Sequence, residues 1–349
     1  MEVIYEAAPY KISVSKIAGP GIIELLKSTL WGTNTPLYQH KRTEENVFRV
    51  PNPLFFSIEK QGKTIGTCCF SKRSISVKGK MYDAWYSRYF AIERQSQGKI
   101  FGHLMLKHIK AYFERQIVEP TVFYAYVDQA NVRSAKLLQY IGLKSVRNFE
   151  TLVFSRVFPS QDKRVSRISE GDKAAMLNLL KEQYQEHVMV NFDRFFIEDD
   201  YFVLKVQGEI LAGLQVKMAE WIICHLPGIS GKLIMHLVPH LPLIARLFNP
   251  GDFRFAAFEG VYYRKGYEKE LFVLMESVCS LLSLNSGMLW LDPESDFYIR
   301  LKKTGKWGLL NKFKEDVPGH VVAGFKNIPE KEQEIFYSHP VDIAAFDLI

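Results

Sequence analysis

Cysteine is scarce in this chain: 349 residues hold four, Cys68, Cys69, Cys224 and Cys279, with no CxxC spacing. Neither a disulfide framework nor a thiolate metal site is written there, and a reduced, cytoplasmic setting is expected. Long apolar runs are also missing, and the opening MEVIYEAAPYKISV lacks the basic start and apolar stretch of a secretory signal, so no stable membrane insertion is expected. The basic residues are scattered, with no recognition helix or RNA-binding signature, which argues against a nucleic-acid partner. His236 and His240 stand four apart, but Pro239 lies between them and no third ligand follows a zinc spacing. No metal is expected.

What is present is length and apolar content for more than one core. At 349 residues and 47% hydrophobic, the chain suits two domains, which we place at 1–160 and 161–349. Residues 1–160 carry 23 Lys and Arg against 12 Asp and Glu, and the remainder 22 against 26. The first half is therefore basic and the second slightly acidic, as expected if the first receives a polyanion.

The segment IERQSQGKIFGHLML, Ile92 to Leu106, reads as a strand end, a glycine-bearing loop and a helix starting at Phe101 or Gly102. Gly98 and Gly102 let main-chain N–H groups approach an anion, and the helix start adds unpaired donors and the positive end of its dipole. Leu104, Leu106, Ile109 and Phe113 recur at helical spacing. A strand at Thr121–Val127 and a second helix opening at Asn131 follow. Upstream, strands are expected at Tyr10–Lys16, Pro53–Glu59, Thr64–Ser71 and Ala84–Ile92, with a helix at Gly21–Leu30.

With YAYVDQANVRSAKLLQYIGLKSV, Tyr124 to Val146, this order resembles the GNAT superfamily of acyl-CoA-dependent N-acyltransferases. Gln97, Gly102, Asn131, Ser134 or Ala135, Gly142 and Leu143 fall where that family carries its loop and helix motifs. Two positions depart: Ile100 replaces the first glycine of the loop pattern, and Leu138 replaces the tyrosine that in many members protonates the leaving thiolate. Tyr140 stands two residues on, roughly 200° around a helix.

The later half resembles a degenerate second copy. A helix is expected at Asp172–Glu186, with strands near Tyr201–Gln207, Ile210–Met218 and Arg254–Val261. VYYRKGYEKELFVLMESV then stands in place of the loop and helix, and residues 287–310 in place of the last strand and helix. Only Gly266 remains in that loop, and Glu268 and Glu270 would repel a phosphate. The fold expected is therefore α/β (α+β): two GNAT-like domains, each a mixed, mostly antiparallel twisted sheet flanked by helices. An apolar insertion, 221–250, separates two strands of the second copy. Its Lys232–Phe248 segment suits a packed helix, a lid, a homodimer contact or a membrane-surface helix. Apolar stripes are mostly core, and Lys and Arg are few for anionic lipid.

The resemblance implies attack of a primary amine, on a small molecule or a protein, on acetyl-CoA or another acyl-CoA. The cofactor-binding set it suggests is Ile92, Gln97, Gly98, Lys99, Ile100, Phe101, Gly102, His103 and Asn131. An ammonium must lose its proton before attack. Glu93 at the end of the fourth strand is the candidate base, and Tyr86, Ser87 and Tyr89 are candidate proton relays. A main-chain N–H near Ile92 would polarise the thioester oxygen. Asn131 serves the CoA arm, a helix cap, or both. A non-catalytic protein that binds CoA or a partner is the alternative that Ile100 and Leu138 suggest.

Overall fold

The computed structural model describes residues 1–33, 36–98, 100–197, 200–313 and 318–349. The first half runs β1 (Glu2–Ala7), β2 (Tyr10–Ser15), α1 (Pro20–Ser28), β3 (Leu37–His40), α2 (Thr43–Phe48), β4 (Pro53–Lys60), β5 (Lys63–Val77) and β6 (Lys80–Ile92). It continues with α3 (Phe101–Gln116), β7 (Thr121–Asp128), α4 (Val132–Tyr140) and β8 (Lys144–Ser155). The second half opens with β9 (Val165–Arg167), α5 (Glu170–Gln183), β10 (Val188–Val190), β11 (Tyr201–Val206) and β12 (Glu209–His225). Then come α6 (Gly228–Leu237), α7 (Pro242–Leu247), β13 (Phe253–Tyr263), α8 (Glu268–Leu281), β14 (Ser286–Leu291), α9 (Asp296–Thr304), α10 (Leu310–Phe313), β15 (Gly319–Lys326) and α11 (Glu330–Ser338).

The two-domain α/β architecture read from the sequence is the one observed. In each half a mixed sheet lies between two helical layers. Phe101, Met105, Leu106, Ile109 and Phe113 of α3 pack on one face of the first sheet, and Ile22, Ile23 and Leu26 of α1 on the other. The second half repeats this with α8 on one face and Met176 and Leu180 of α5 on the other. The expected helix Lys232–Phe248 is instead broken: α6 ends at Leu237, Pro239 sits in a 3-10 turn, and α7 starts at Pro242, as proline's missing N–H dictates.

The halves do not close on themselves. Strand β15 pairs antiparallel with β7, from Gly319↔Asp128 to Lys326↔Thr121, and on its other side with the first part of β8. The second part of β8 pairs with β14, from Ser286↔Ser155 to Leu291↔Glu150. Each half's sheet is thus completed by the other half's last strand, in one continuous sheet. Helix α11 follows β15 onto the first half, where Phe336 packs beside Tyr82. A Cβ at Gly319 would lie 2.0 Å from the Phe149 ring, so this junction has no room for a larger residue.

Two outcomes are expected. The whole chain unfolds in urea as one cooperative transition, and Gly319→Val lowers its unfolding free energy by about 1–3 kcal/mol. Residues 1–160 expressed alone leave the β7 edge unpaired and should aggregate, as read by light scattering.

Candidate active site

The parallel strands β6 and β7 pair only from Asp83↔Thr121 to Tyr86↔Tyr124. Beyond Tyr86 they part, while β6 keeps its pairing to β5 and β7 its pairing to β15. Three residues past the last pair, Tyr89 adopts φ +54° in a bulge between the pairs Thr67↔Ala91 and Cys69↔Arg88. A non-glycine residue in that region is held there by its surroundings. The bulge puts Arg88 and Tyr89 on the same side, the Arg88 guanidinium 4.2 Å from the Tyr89 ring centre.

The second half repeats this device. Strands β13 and β14 pair in parallel only at Ala256↔Gly287 and Ala257↔Met288. Three residues past Ala257, Gly260 adopts φ +56°, between the pairs Gly213↔Tyr262 and Gln215↔Glu259.

Past β6 the chain makes a 3-10 turn, Arg94–Ser96, and Gly98 turns with φ +75° in open space. The first turn of α3 holds no acidic residue, and among the described residues the N–H groups of Gly98, Phe101 and Gly102 make no backbone hydrogen bond. Gln97 is exposed and donates to Ile92 O at 3.1 Å. Ile100 is exposed, Ile92 half-buried, and the Phe101 side chain is in the core. Gly102 faces inward: a Cβ there would lie 3.3 Å from Leu137 of α4. Its small size therefore lets α3 approach α4. His103 is exposed with its ring 5.2 Å from that of Tyr140. Lys99 lies outside the described residues. Asn131 caps α4, its Oδ1 accepting from Ser134 N at 3.1 Å. Leu138 packs among Val127, Leu143 and Val322.

In the second half the protein's own carboxylate occupies the matching place: Gly266 N donates to Glu268 Oε1 at 3.2 Å, and Glu268 and Glu270 fill the first turn of α8.

The candidate base Glu93 is ion-paired to Lys63. Tyr86 and Tyr89 face away from α3, whereas Ser87 lies beside Cys68 on the α3 side. The Tyr89 hydroxyl and Trp31 Nε1 are buried with no partner among the described residues, and the two rings are 6.3 Å apart.

Sequence reasoning missed the charged cluster between the halves, which forms around the final segment, Val341 to Ile349. Arg73 Nη1 meets Asp347 Oδ2 at 2.6 Å and Tyr124 Oη at 3.2 Å. Arg88 Nη2 donates to Ile349 O at 3.1 Å, and Ala344 N donates to the Tyr126 hydroxyl at 3.0 Å. From the second half, Glu259 Oε2 accepts from Arg194 Nη2 at 2.7 Å and from Phe346 N at 3.1 Å. Glu259 immediately precedes its bulge, as Arg88 does in the first half. Burial, only partly offset by Arg194, pushes the Glu259 carboxyl up to about 7. Burial acts the same way on Asp347, but Arg73, then Arg194 and Arg88, outweigh it and hold that carboxyl below its ordinary value. No signal local to Glu259 or Asp347 marks them in the sequence.

Residues 23–143 match the sequence model of the acetyltransferase (GNAT) family. The first half carries a GNAT domain. The fold of the whole is likewise that of solved N-acyltransferases at very low identity. Saccharomyces cerevisiae N-myristoyltransferase with bound myristoyl-CoA superposes with TM-score 0.61 at 9% identity, over 94% of this chain and 86% of that one. A GCN5-related N-acetyltransferase from Sphaerobacter thermophilus gives TM-score 0.51 at 10% identity, over 90% and 95%. No curated protein matches the chain by sequence. The matched half is the one with the open glycine loop; parted strands occur in both. Two surface grooves, about 580 Å³ between α1 and α2 and about 660 Å³ at the C-terminal end of α3, lie elsewhere.

Two measurements probe the cluster. Asp347→Asn leaves Arg73 and Arg88 without their buried anion and should cost about 3–5 kcal/mol in urea unfolding. Glu259 titrates higher folded than its ordinary 4.5. Its contribution is therefore full below pH 4.5 and is lost as pH rises through about 7. Unfolding free energy should fall across that window by roughly 3 kcal/mol, and Glu259→Gln should flatten the slope.

Proposed function

We propose that this GNAT-fold protein is an N-acyltransferase in which residues 1–160 bind acetyl-CoA or another acyl-CoA. Residues 161–349 then shape the site for a primary amine. The observation that carries the reading is the contrast between the two loops. In the first, free N–H groups and a helix start without acids suit a pyrophosphate; in the second, Glu268 already accepts the loop N–H.

The thioester arm would enter where β6 and β7 part, with main-chain groups near Ile92 polarising its carbonyl. The amine would approach from the face carrying Tyr89 and Arg88. There Trp31 Nε1 and the Tyr89 hydroxyl lack partners that a substrate could supply. Glu259, with a carboxyl near 7, suits general-base work near neutrality. Glu93 can take that role only after leaving Lys63. Either carboxylate would first take the ammonium proton; the freed amine then attacks the thioester carbonyl, the C–S bond breaks and CoA leaves as the thiolate. Leu138, half-buried against Val127, Leu143 and Val322, supplies no acid, so the leaving group would be protonated by water or by another residue. The apolar side chain at that position is also what favours the second reading, a CoA-binding protein without catalysis.

Calorimetry with acetyl-CoA should give one site per chain, and Gly98→Asp should weaken binding at least about tenfold by placing a carboxylate at the phosphate position. A stoichiometry of two, or unchanged affinity in the variant, overturns the site. Glu259→Gln should remove the ascending limb of the pH–rate profile; loss of that limb in Glu93→Gln instead reassigns the base. Binding without turnover across an amine panel selects the non-catalytic reading.

A further inference from the structure

The insertion between β12 and β13 is anchored on one side and bare on the other. Val238 and Leu247 are buried, and Leu226, Met235 and Phe248 pack against the core between the halves. On the outer side, Ile229 is 89% exposed, Leu233 57%, Leu237 49% and Leu243 56%. Ile229, Leu233 and Leu237 follow one another at four-residue spacing along α6, so they form one stripe. Instead of joining the core, as apolar stripes mostly do, this one faces outward. A helix apolar on both faces needs a second apolar environment.

We infer that this face seats on the surface of an anionic phospholipid bilayer. Between Trp221 and Gly251 the chain has no Asp or Glu, while Lys232 and Arg246 are present and exposed, within a half that is otherwise net acidic. Lys and Arg are few, but no Asp or Glu within the segment offsets them, the nearest in sequence being Glu220 and Asp252 at its ends. The same charges disfavour a second copy of this chain, because a two-fold contact through the patch would bring cationic surfaces together without counter-charge. Helix α6 is ten residues long, and no helix among the described residues is long and apolar enough to cross a membrane. The helices therefore lie flat, with the leucines at the acyl boundary and Lys232 and Arg246 at the headgroups.

Flotation of the full chain with vesicles of phosphatidylcholine, alone or with phosphatidylserine, tests this. Binding to the phosphatidylserine vesicles is expected, weakening as salt is raised. Leu233→Glu and Leu237→Glu should each weaken it about tenfold, and Lys232→Glu about fivefold. Because these side chains are exposed, the variants should keep the wild-type melting temperature and acyl-CoA affinity, so loss of flotation reports the surface alone. No flotation with either vesicle overturns the inference, as does flotation that the variants leave unchanged. A concentration-dependent dimer that Leu233→Glu dissociates, with no flotation, assigns the face to a second copy and overturns it too.

Discussion

The insertion of β15 between β7 and β8 is the constraint from which the rest of the structure follows. It pairs along its whole length with β7 and through Gly319–Ala323 with β8, so the second half cannot be moved away without exposing the β7 edge of the first half's sheet. The junction places the two parted strand pairs in one continuous sheet. It also carries α11 and the final segment back across the first half, where that segment reaches Arg73, Arg88 and Glu259.

The two halves share a device and differ at their loops. Both halves keep the mechanical device of a parallel pair that parts, with a bulge three residues beyond. Only the first keeps an open loop. In the second, Glu268 accepts the Gly266 N–H, a donor that a phosphate would use, while the residue before the bulge is a buried acid, Glu259. One copy thus retains the features for anion binding, and the other supplies a carboxylate where the first has Arg88. Opposite charges at equivalent positions let both halves hold the same segment, Arg88 at Ile349 O and Glu259 at Phe346 N. Burial keeps the Glu259 proton near neutrality.

The first half was legible in the sequence because its signals are local. Gly98, the stripe Leu104 to Phe113 and the Asn131 cap act over a few residues, and α3, β7 and α4 lie where those signals put them. The second copy could be recognised through the order of its elements, since α8, β14 and α9 repeat α3, β7 and α4. Strand β15 was missed: alternation in GHVVAGFK is compatible with any neighbour, and its partner β7 lies nearly two hundred residues earlier. At Gly102 the motif gives the position, and only the packing shows that the missing Cβ lets α3 approach Leu137 of α4.

By itself, then, the sequence determined helices α1, α3, α4, α5 and α8, most central strands and the anion-suited loop, because hydrophobic period, caps and glycine conformations are set by short-range sterics and hydrogen bonds. Tertiary structure decided the exchange of last strands, the meeting of Glu259, Asp347, Arg73 and Arg88, and the outward turn of the α6 stripe. Strand pairing, burial and the pKa shifts that follow depend on which distant segments become neighbours, and short-range preferences do not specify that.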